Sequence, residues 1–263
     1  MEIFHVDAFT DRKFSGNPAG VCVLPRAATE QWMQDVAREV SHPETAFLVR
    51  DGAGFGLRWF TPTVEVELCG HATLASAHVL WEQGVVEPAE AIRFQTKSGV
   101  LKARRTGGWI ELEFPALPAK QVKAPPGLEK AIGAKARYVG KSRFDYLCEV
   151  DSEETVRGLE PDPRLVAALP MRGVIVTAKS STKGFDFVSR FFAPKVGIDE
   201  DPVTGTAHCV VAPFWGARLA KKEMTGYQAS SRGGTVRVGL GGSKVRLGGK
   251  AVTVMRSELL GEG

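Results

Sequence analysis

Apolar and polar positions alternate with a period of two along most of this chain, and in two places the alternation gives way to a stretch that is apolar on nearly every side. Residues 3–9 and 19–24 read as strands separated by a loop containing Gly16-Asn17-Pro18. Thr29 can cap a helix running to about Val40, with Trp32, Met33, Val36, Ala37 and Val40 on its apolar face. Strands follow at 45–50 and 55–61, joined by Asp51-Gly52, then a helix over 70–83. Three β runs close the first half at 91–96, 100–105 and 109–114, with hairpin signals at Lys97-Ser98-Gly99 and Gly107-Gly108.

The stretch from Pro115 to Gly127 is dense in proline and reads as a linker. Beyond it come short β pieces at 137–140, 145–150, 173–178 and 185–192, a helix from Gly205 to about Lys221, and β runs at 235–240, 244–247 and 251–256. The halves share a phrase. Arg58-Trp59-Phe60-Thr61-Pro62 and Arg190-Phe191-Phe192-Ala193-Pro194 each precede a glycine that opens a helix, Gly70-His71-Ala72 and Gly205-Thr206-Ala207. Internal self-similarity of this kind points to a duplicated unit. The 70–83 helix carries Ala72, Leu74, Ala75, Ala77, Val79 and Leu80, and a helix apolar all round must be buried. The pattern therefore predicts an α+β fold of two pseudo-symmetric domains, 1–115 and 116–263. Each is a curved, mostly antiparallel sheet wrapped around a central helix, and whether the last strand returns to the first domain is left open.

Apolar residues at 43% and charged residues at 24% are ordinary for a globular protein. No apolar run reaches the roughly 20 residues that span a bilayer. The opening residues, with Glu2 and no basic flank, read as a strand rather than a signal peptide. Cys22, Cys69, Cys148 and Cys209 are scattered, so reduced thiols in the cytoplasm are the expectation. No histidine spacing suggests a metal site. The net charge of +4 is dispersed, and its densest cluster, Lys102-Ala103-Arg104-Arg105, lies in an alternating strand. That argues against nucleic acid as a partner and leaves a small anion as the more natural one.

A glycine that opens a helix leaves backbone N–H groups unobstructed, so Gly70-His71-Ala72 and Gly205-Thr206-Ala207 are two candidate grips for a carboxylate. Glu44, at the start of an apolar strand, is expected to be partly buried, which raises a carboxyl pKa and suits acid/base work. Asp201 lies nearest the second glycine, and His71 follows the first and could pair with an acid. Cys69, before Gly70, is a rival base, since a helix N-terminus favours a thiolate; its counterpart in the second half is Thr204.

Taken in order, Val6-Asp7-Ala8-Phe9-Thr10, Gly16-Asn17-Pro18-Ala19-Gly20-Val21, Glu44-Thr45-Ala46-Phe47, Arg58-Trp59-Phe60-Thr61-Pro62, Leu68-Cys69-Gly70-His71-Ala72-Thr73 and residues 200–208 resemble the PhzF-like (phenazine biosynthesis-like) isomerases. That family has the diaminopimelate epimerase fold, and the chain resembles its animal-type branch. The resemblance implies a cofactor-free isomerase, working as a homodimer in an interdomain cleft. Glu44 would move a proton between carbons of a small carboxylic acid. Asp201 and His71 would help hold that substrate, and Gly70, Ala72, Gly205, Thr206 and Ala207 would grip its carboxylate. Thr206 stands where the family usually has serine. Two alternatives stay open: a racemase or epimerase using Cys69 as its base, and a silent binding or scaffold protein.

Overall fold

The computed structural model describes residues 1–260. The chain divides into two compact units, Met1–Glu113 with the segment from Gly248 onward, and Phe114–Leu247. The first unit runs β1 (Glu2–Ala8), β2 (Asn17–Leu24), α1 (Glu30–Val40), β3 (Glu44–Asp51), β4 (Gly54–Phe60), β5 (Glu65–Val66), α2 (Gly70–Glu82), β6 (Ile92–Thr96), β7 (Gly99–Thr106) and β8 (Trp109–Pro115). β2 and β3 are parallel, so their connection must cross over, and α1 is that crossover. The β1–β2, β3–β4, β6–β7 and β7–β8 pairs are antiparallel.

Thr29 caps α1 by accepting from the Trp32 N–H. Met33, Val36 and Ala37 of α1 form a buried cluster with Ile3, Cys22, Phe47 and Phe60. Side chains alternate along a strand. With Phe47 facing α1, residues Glu44, Ala46 and Leu48 face the other way, toward α2. That helix packs against β1, β2 and β3 and is buried from His71 to Ala77 and from Val79 to Trp81.

The second unit repeats this path. It holds β9 (Lys120–Gln121), α3 (Leu128–Ile132), β10 (Tyr138–Lys141), β11 (Asp145–Glu149), α4 (Glu153–Arg157), α5 (Pro163–Ala167), β12 (Gly173–Lys179), β13 (Phe187–Phe192), α6 (Gly205–Leu219), β14 (Glu223–Gln228), β15 (Gly234–Gly241) and β16 (Lys244–Gly249). β11 and β12 are parallel, with α4 and α5 as the crossover, and β12 pairs antiparallel with β13. α3, α4 and α5 pack on the strands through Leu128, Ile132, Val156 and Val166. α6 is the buried helix of this unit. Among the described residues no helix is long and apolar enough to cross a membrane.

α6 carries Pro213 in its interior. Proline has no N–H to offer the carbonyl four residues back. That carbonyl, on Cys209, accepts instead from the Leu117 N–H at 3.0 Å. The stretch read as a linker is thus tied into the second unit, with Ala116 N–H on Ser243 O and Val122 N–H on Val139 O as further attachments.

β17 (Ala251–Glu258) pairs antiparallel with β1, from Glu2 opposite Glu258 to Ala8 opposite Ala251. The expected second domain, 116–263, held this tail, with the return of its last strand to the first domain left open. This pairing places described residues 248–260 with the first unit, and 261–263 lie outside the described residues. β14 was not anticipated because its residues, Glu-Met-Thr-Gly-Tyr-Gln, are mostly polar and glycine-broken. It forms because β13 and β15 bond it on both sides. Gly226 is required there, since a Cβ would stand 2.2 Å from the Phe187 ring.

Candidate active site

Two helices begin on glycine, and neither has a side-chain cap, whereas α1, α4 and α5 are capped by Thr29, Ser152 and Asp162. In α2 the first intrahelical bond is Thr73 N–H to Cys69 O, and in α6 it is His208 N–H to Thr204 O. The N–H groups of Gly70, His71 and Ala72, and of Gly205, Thr206 and Ala207, therefore have no carbonyl within their helix to bond. They sit at the positive end of a helix dipole.

In the first unit Glu44, on β3, and His71, on α2, meet. Glu44 Oε2 lies 3.2 Å from His71 Nε2, with the two side chains 13% and 7% exposed. The other ring nitrogen, Nδ1, is 3.5 Å from Cys69 Sγ and 3.3 Å from Asn17 Nδ2. Asn17 is fully buried at the start of β2, pinned where β1 turns into it. Sequence reasoning had assigned it to a loop. Only its place in Gly16-Asn17-Pro18 hinted at a role.

Burial by itself would lower the His71 pKa, but the charges it faces, those available to Cys69 and Glu44, raise it well above 6.5. Burial and the Glu44 charge push the Cys69 thiol up in turn. Burial and Glu44 thus work against a Cys69 thiolate while the His71 ring works for one, and Glu44 faces the other nitrogen of that ring. The helix-terminus effect expected to favour a Cys69 thiolate loses to burial.

The donor atoms of Glu44, Cys69 and His71 lie within 4.8 Å of one another, a spacing that could admit a metal ion. The chemistry of the set fits poorly. The imidazole turns one nitrogen to the carboxylate and the other to the thiol, so the three form a chain through the ring rather than a shell about one centre.

In the second unit Asp201 Oδ2 accepts from the Thr204 hydroxyl at 2.6 Å. Gln228, fully buried at the end of β14, bonds three groups: its Nε2 donates to Asp201 O and Thr204 Oγ1, and its Oε1 accepts from Thr204 N–H. The turn ahead of α6 is thus held by a residue that no sequence signal marked. Thr206 is partly exposed, and Gly205 and Ala207 are buried beside it. His208 is a core histidine. Burial lowers its pKa to about 4, and its Nδ1 bonds Thr204 O at 2.8 Å. Glu200 clasps Arg190 of the shared phrase, as Glu65 clasps Arg58 in the first unit, so it serves the fold.

Comparison with known proteins bears on this arrangement. The family model described as phenazine biosynthesis-like protein matches residues 6–257. A protein of Halalkalibacterium halodurans named "Uncharacterized isomerase BH0283" is 52% identical, covering 98% of each chain. The mouse phenazine biosynthesis-like domain-containing protein 1 is 40% identical, over 98% of this chain and 99% of its own. The crystal structure of a PhzF family protein from Enterococcus faecalis superposes with a TM-score of 0.95 at 40% identity, covering 98% of each chain.

Proposed function

The chain belongs to the phenazine biosynthesis-like family of isomerases, and we propose that it moves a proton between two carbons of a small unsaturated carboxylic acid, with Glu44 carrying that proton. The observation that supports this most is the Glu44–His71 pair beside the uncapped start of α2. In the free enzyme the His71 cation pairs with the carboxylate. Glu44 then takes a proton from a carbon made acidic by neighbouring unsaturation and returns it to another carbon within its reach.

Removing that proton leaves negative charge spread over the unsaturated acid. The N–H groups of Gly70, His71 and Ala72 are preorganised donors for it, needing no rearrangement as charge develops. Within the second unit Gly205, Thr206 and Ala207 present a set of donors of the same kind, a grip for a carboxylate, and Asp201 fixes the turn that presents them. The proposed steps use side chains and backbone donors alone.

Deuterium uptake tests the proposal. Wild type and Glu44→Gln are incubated with a panel of small unsaturated, hydroxy and amino acids in heavy water, and proton NMR follows each carbon position. Exchange at a carbon with wild type and a loss of at least 100-fold in Glu44→Gln is the expected result, the scale of a general base. A Glu44→Gln protein that exchanges at the wild-type rate would falsify the assignment. The epimerase reading with Cys69 as base is disfavoured by the burial of its thiol, which pushes the pKa up. Exchange that survives Glu44→Gln and vanishes in Cys69→Ser would restore it.

A further inference from the structure

The two units keep one contact and change its chemistry. Strand pairing sets Thr45 opposite Phe60 and Val174 opposite Phe192, and both phenylalanines are the third residue of the shared phrase. Glu44 is therefore matched in the second unit by Gly173. His71, second residue of α2, is matched by Thr206, second residue of α6. Gly173 carries no side chain, and none would fit, since a Cβ there would stand 2.6 Å from the Phe192 carbonyl oxygen. Arg172, one residue earlier, makes the contact instead, its Nη2 donating to Thr206 Oγ1 at 3.2 Å. Where the first unit sets a carboxylate on an imidazole, the second sets a guanidinium on a hydroxyl.

Arg172 has little freedom. Its Nε and Nη2 bond the two oxygens of Asp145 at 2.9 and 2.6 Å, and the Asp145 side chain is 1% exposed. The guanidinium also lies 5.4 Å from the ring centres of Phe144 and Phe191. A planar fork bonded through its Nε and Nη2, with two aromatic rings close by, has little room to turn.

This fixes what Thr206 can do. With Oγ1 accepting from the guanidinium, the hydroxyl hydrogen points elsewhere, and no described residue accepts it. At the second position of α6 there is no preceding helical turn to take it either. Thr204, two residues earlier, has spent its hydroxyl on Asp201 and accepts from Gln228. Thr206 is the side chain at this helix start with a donor still to give.

We infer that Arg172 is a positioning residue: it holds the Thr206 hydroxyl as a donor, beside the N–H groups of Gly205–Ala207, so that this position takes an anionic carboxylate and rejects its neutral amide. Every group it presents is a donor, so a carboxylate satisfies the set, while an amide would bring its own NH₂ against them. The inference rests on the reading of the α6 start as a grip for a carboxylate.

The test is an NMR titration of the isotope-labelled full chain with sorbate, a small unsaturated carboxylate, and with its neutral amide, sorbamide. Wild type is expected to bind sorbate more tightly, with the Thr206 and Ala207 amide resonances shifting. Arg172→Gln should weaken sorbate roughly tenfold, the scale of one bond to a charged group, and abolish the preference. Thr206→Val should do the same, Thr206→Ser should rescue that loss, and the Arg172→Gln/Thr206→Val double variant should bind no more weakly than Thr206→Val. Because Arg172→Gln alone strands the buried Asp145 charge, Asp145→Asn/Arg172→Gln, which removes the pair together, should show the same loss. Undiminished sorbate preference in that paired variant, or additive losses in the double variant, would overturn the inference. If wild type binds neither probe at the α6 start, the inference falls with that part of the functional reading, while the Glu44 exchange result stands or falls independently.

Discussion

Glu153 offers the sharpest test of how the second unit is held together. Its side chain is 3% exposed at the first turn of α4. Oε2 accepts from the N–H groups of Ser181 and Thr182 and from the hydroxyls of Ser180 and Ser181. Oε1 accepts from the Thr182 hydroxyl and from Nε and Nη2 of Arg157. Burial would raise the pKa of this carboxyl, but the bonds from Ser180, Thr182, Arg157 and Ser181 reverse the balance and hold it far below the usual carboxylate range. In Glu153→Gln the amide oxygen can keep one side of the cradle, and the NH₂ then faces Arg157 and the Thr182 hydroxyl, donor against donor. Arg157 is 43% exposed and can turn to solvent, so its share is discounted. With the two Arg157 bonds counted as one after that discount and the Thr182 bond as the other, two charge-assisted bonds at about 1.5 kcal/mol each leave about 3 kcal/mol of destabilisation at pH 7. With a urea slope of about 2 kcal/mol/M, the midpoint should fall by about 1.5 M. Protection of the Ser181 and Thr182 amides from hydrogen exchange should fall with it. The pH dependence has a definite sign. A carboxyl whose pKa is depressed by folding contributes fully above its unfolded value, about 4.3, and the contribution drains away as pH falls below that, by at most about 1.4 kcal/mol per pH unit. The gap between wild type and variant should therefore be constant from pH 7 to 5 and narrow toward pH 3. A variant midpoint matching wild type at pH 7, or a gap that does not narrow in acid, would refute the reasoning.

Two further outcomes follow from the same kind of argument. In a proton NMR titration, His71 should titrate above 6.5 and His208 near 4. The His71 pair adds its full stability below about 6.5 and loses it as pH rises through the folded value, so Glu44→Gln should pull the His71 midpoint down; an unmoved midpoint would dissociate the two residues. Gly226→Ala puts a methyl group 2.2 Å from the Phe187 ring where β13 and β14 pair, and should cost about 1–3 kcal/mol in denaturant melts; a neutral result would mean that the ring moves freely aside.

Much of this protein was legible in the order of its residues. Alternation gave most of the strands, and Thr29 and the apolar stripe from Trp32 to Val40 gave α1. The apolar girth of the stretches opened by Gly70 and Gly205 marked the two buried helices, and the repeated phrase ahead of each marked the duplication. These features are local, set by side-chain direction within a few residues, so a linear reading finds them. Glu44 and His71 were legible as candidates for chemistry. Their contact was not, because it depends on which face of β3 turns toward α2.

Other features had no local signature. α3, α4 and α5 are five residues each, too short for a helical period to register. β14 reads as polar coil until β13 and β15 bond it. β17 alternates as well as any strand, but nothing in it names β1 as its partner. Asn17 against His71, Gln228 against Asp201 and Arg172 against Thr206 join residues 54, 27 and 34 positions apart. A sequence states which groups are available and how each stretch is inclined to fold. Which distant groups share a proton or an anion is decided by strand register, and register minimises the free energy of the whole sheet and its buried helix at once.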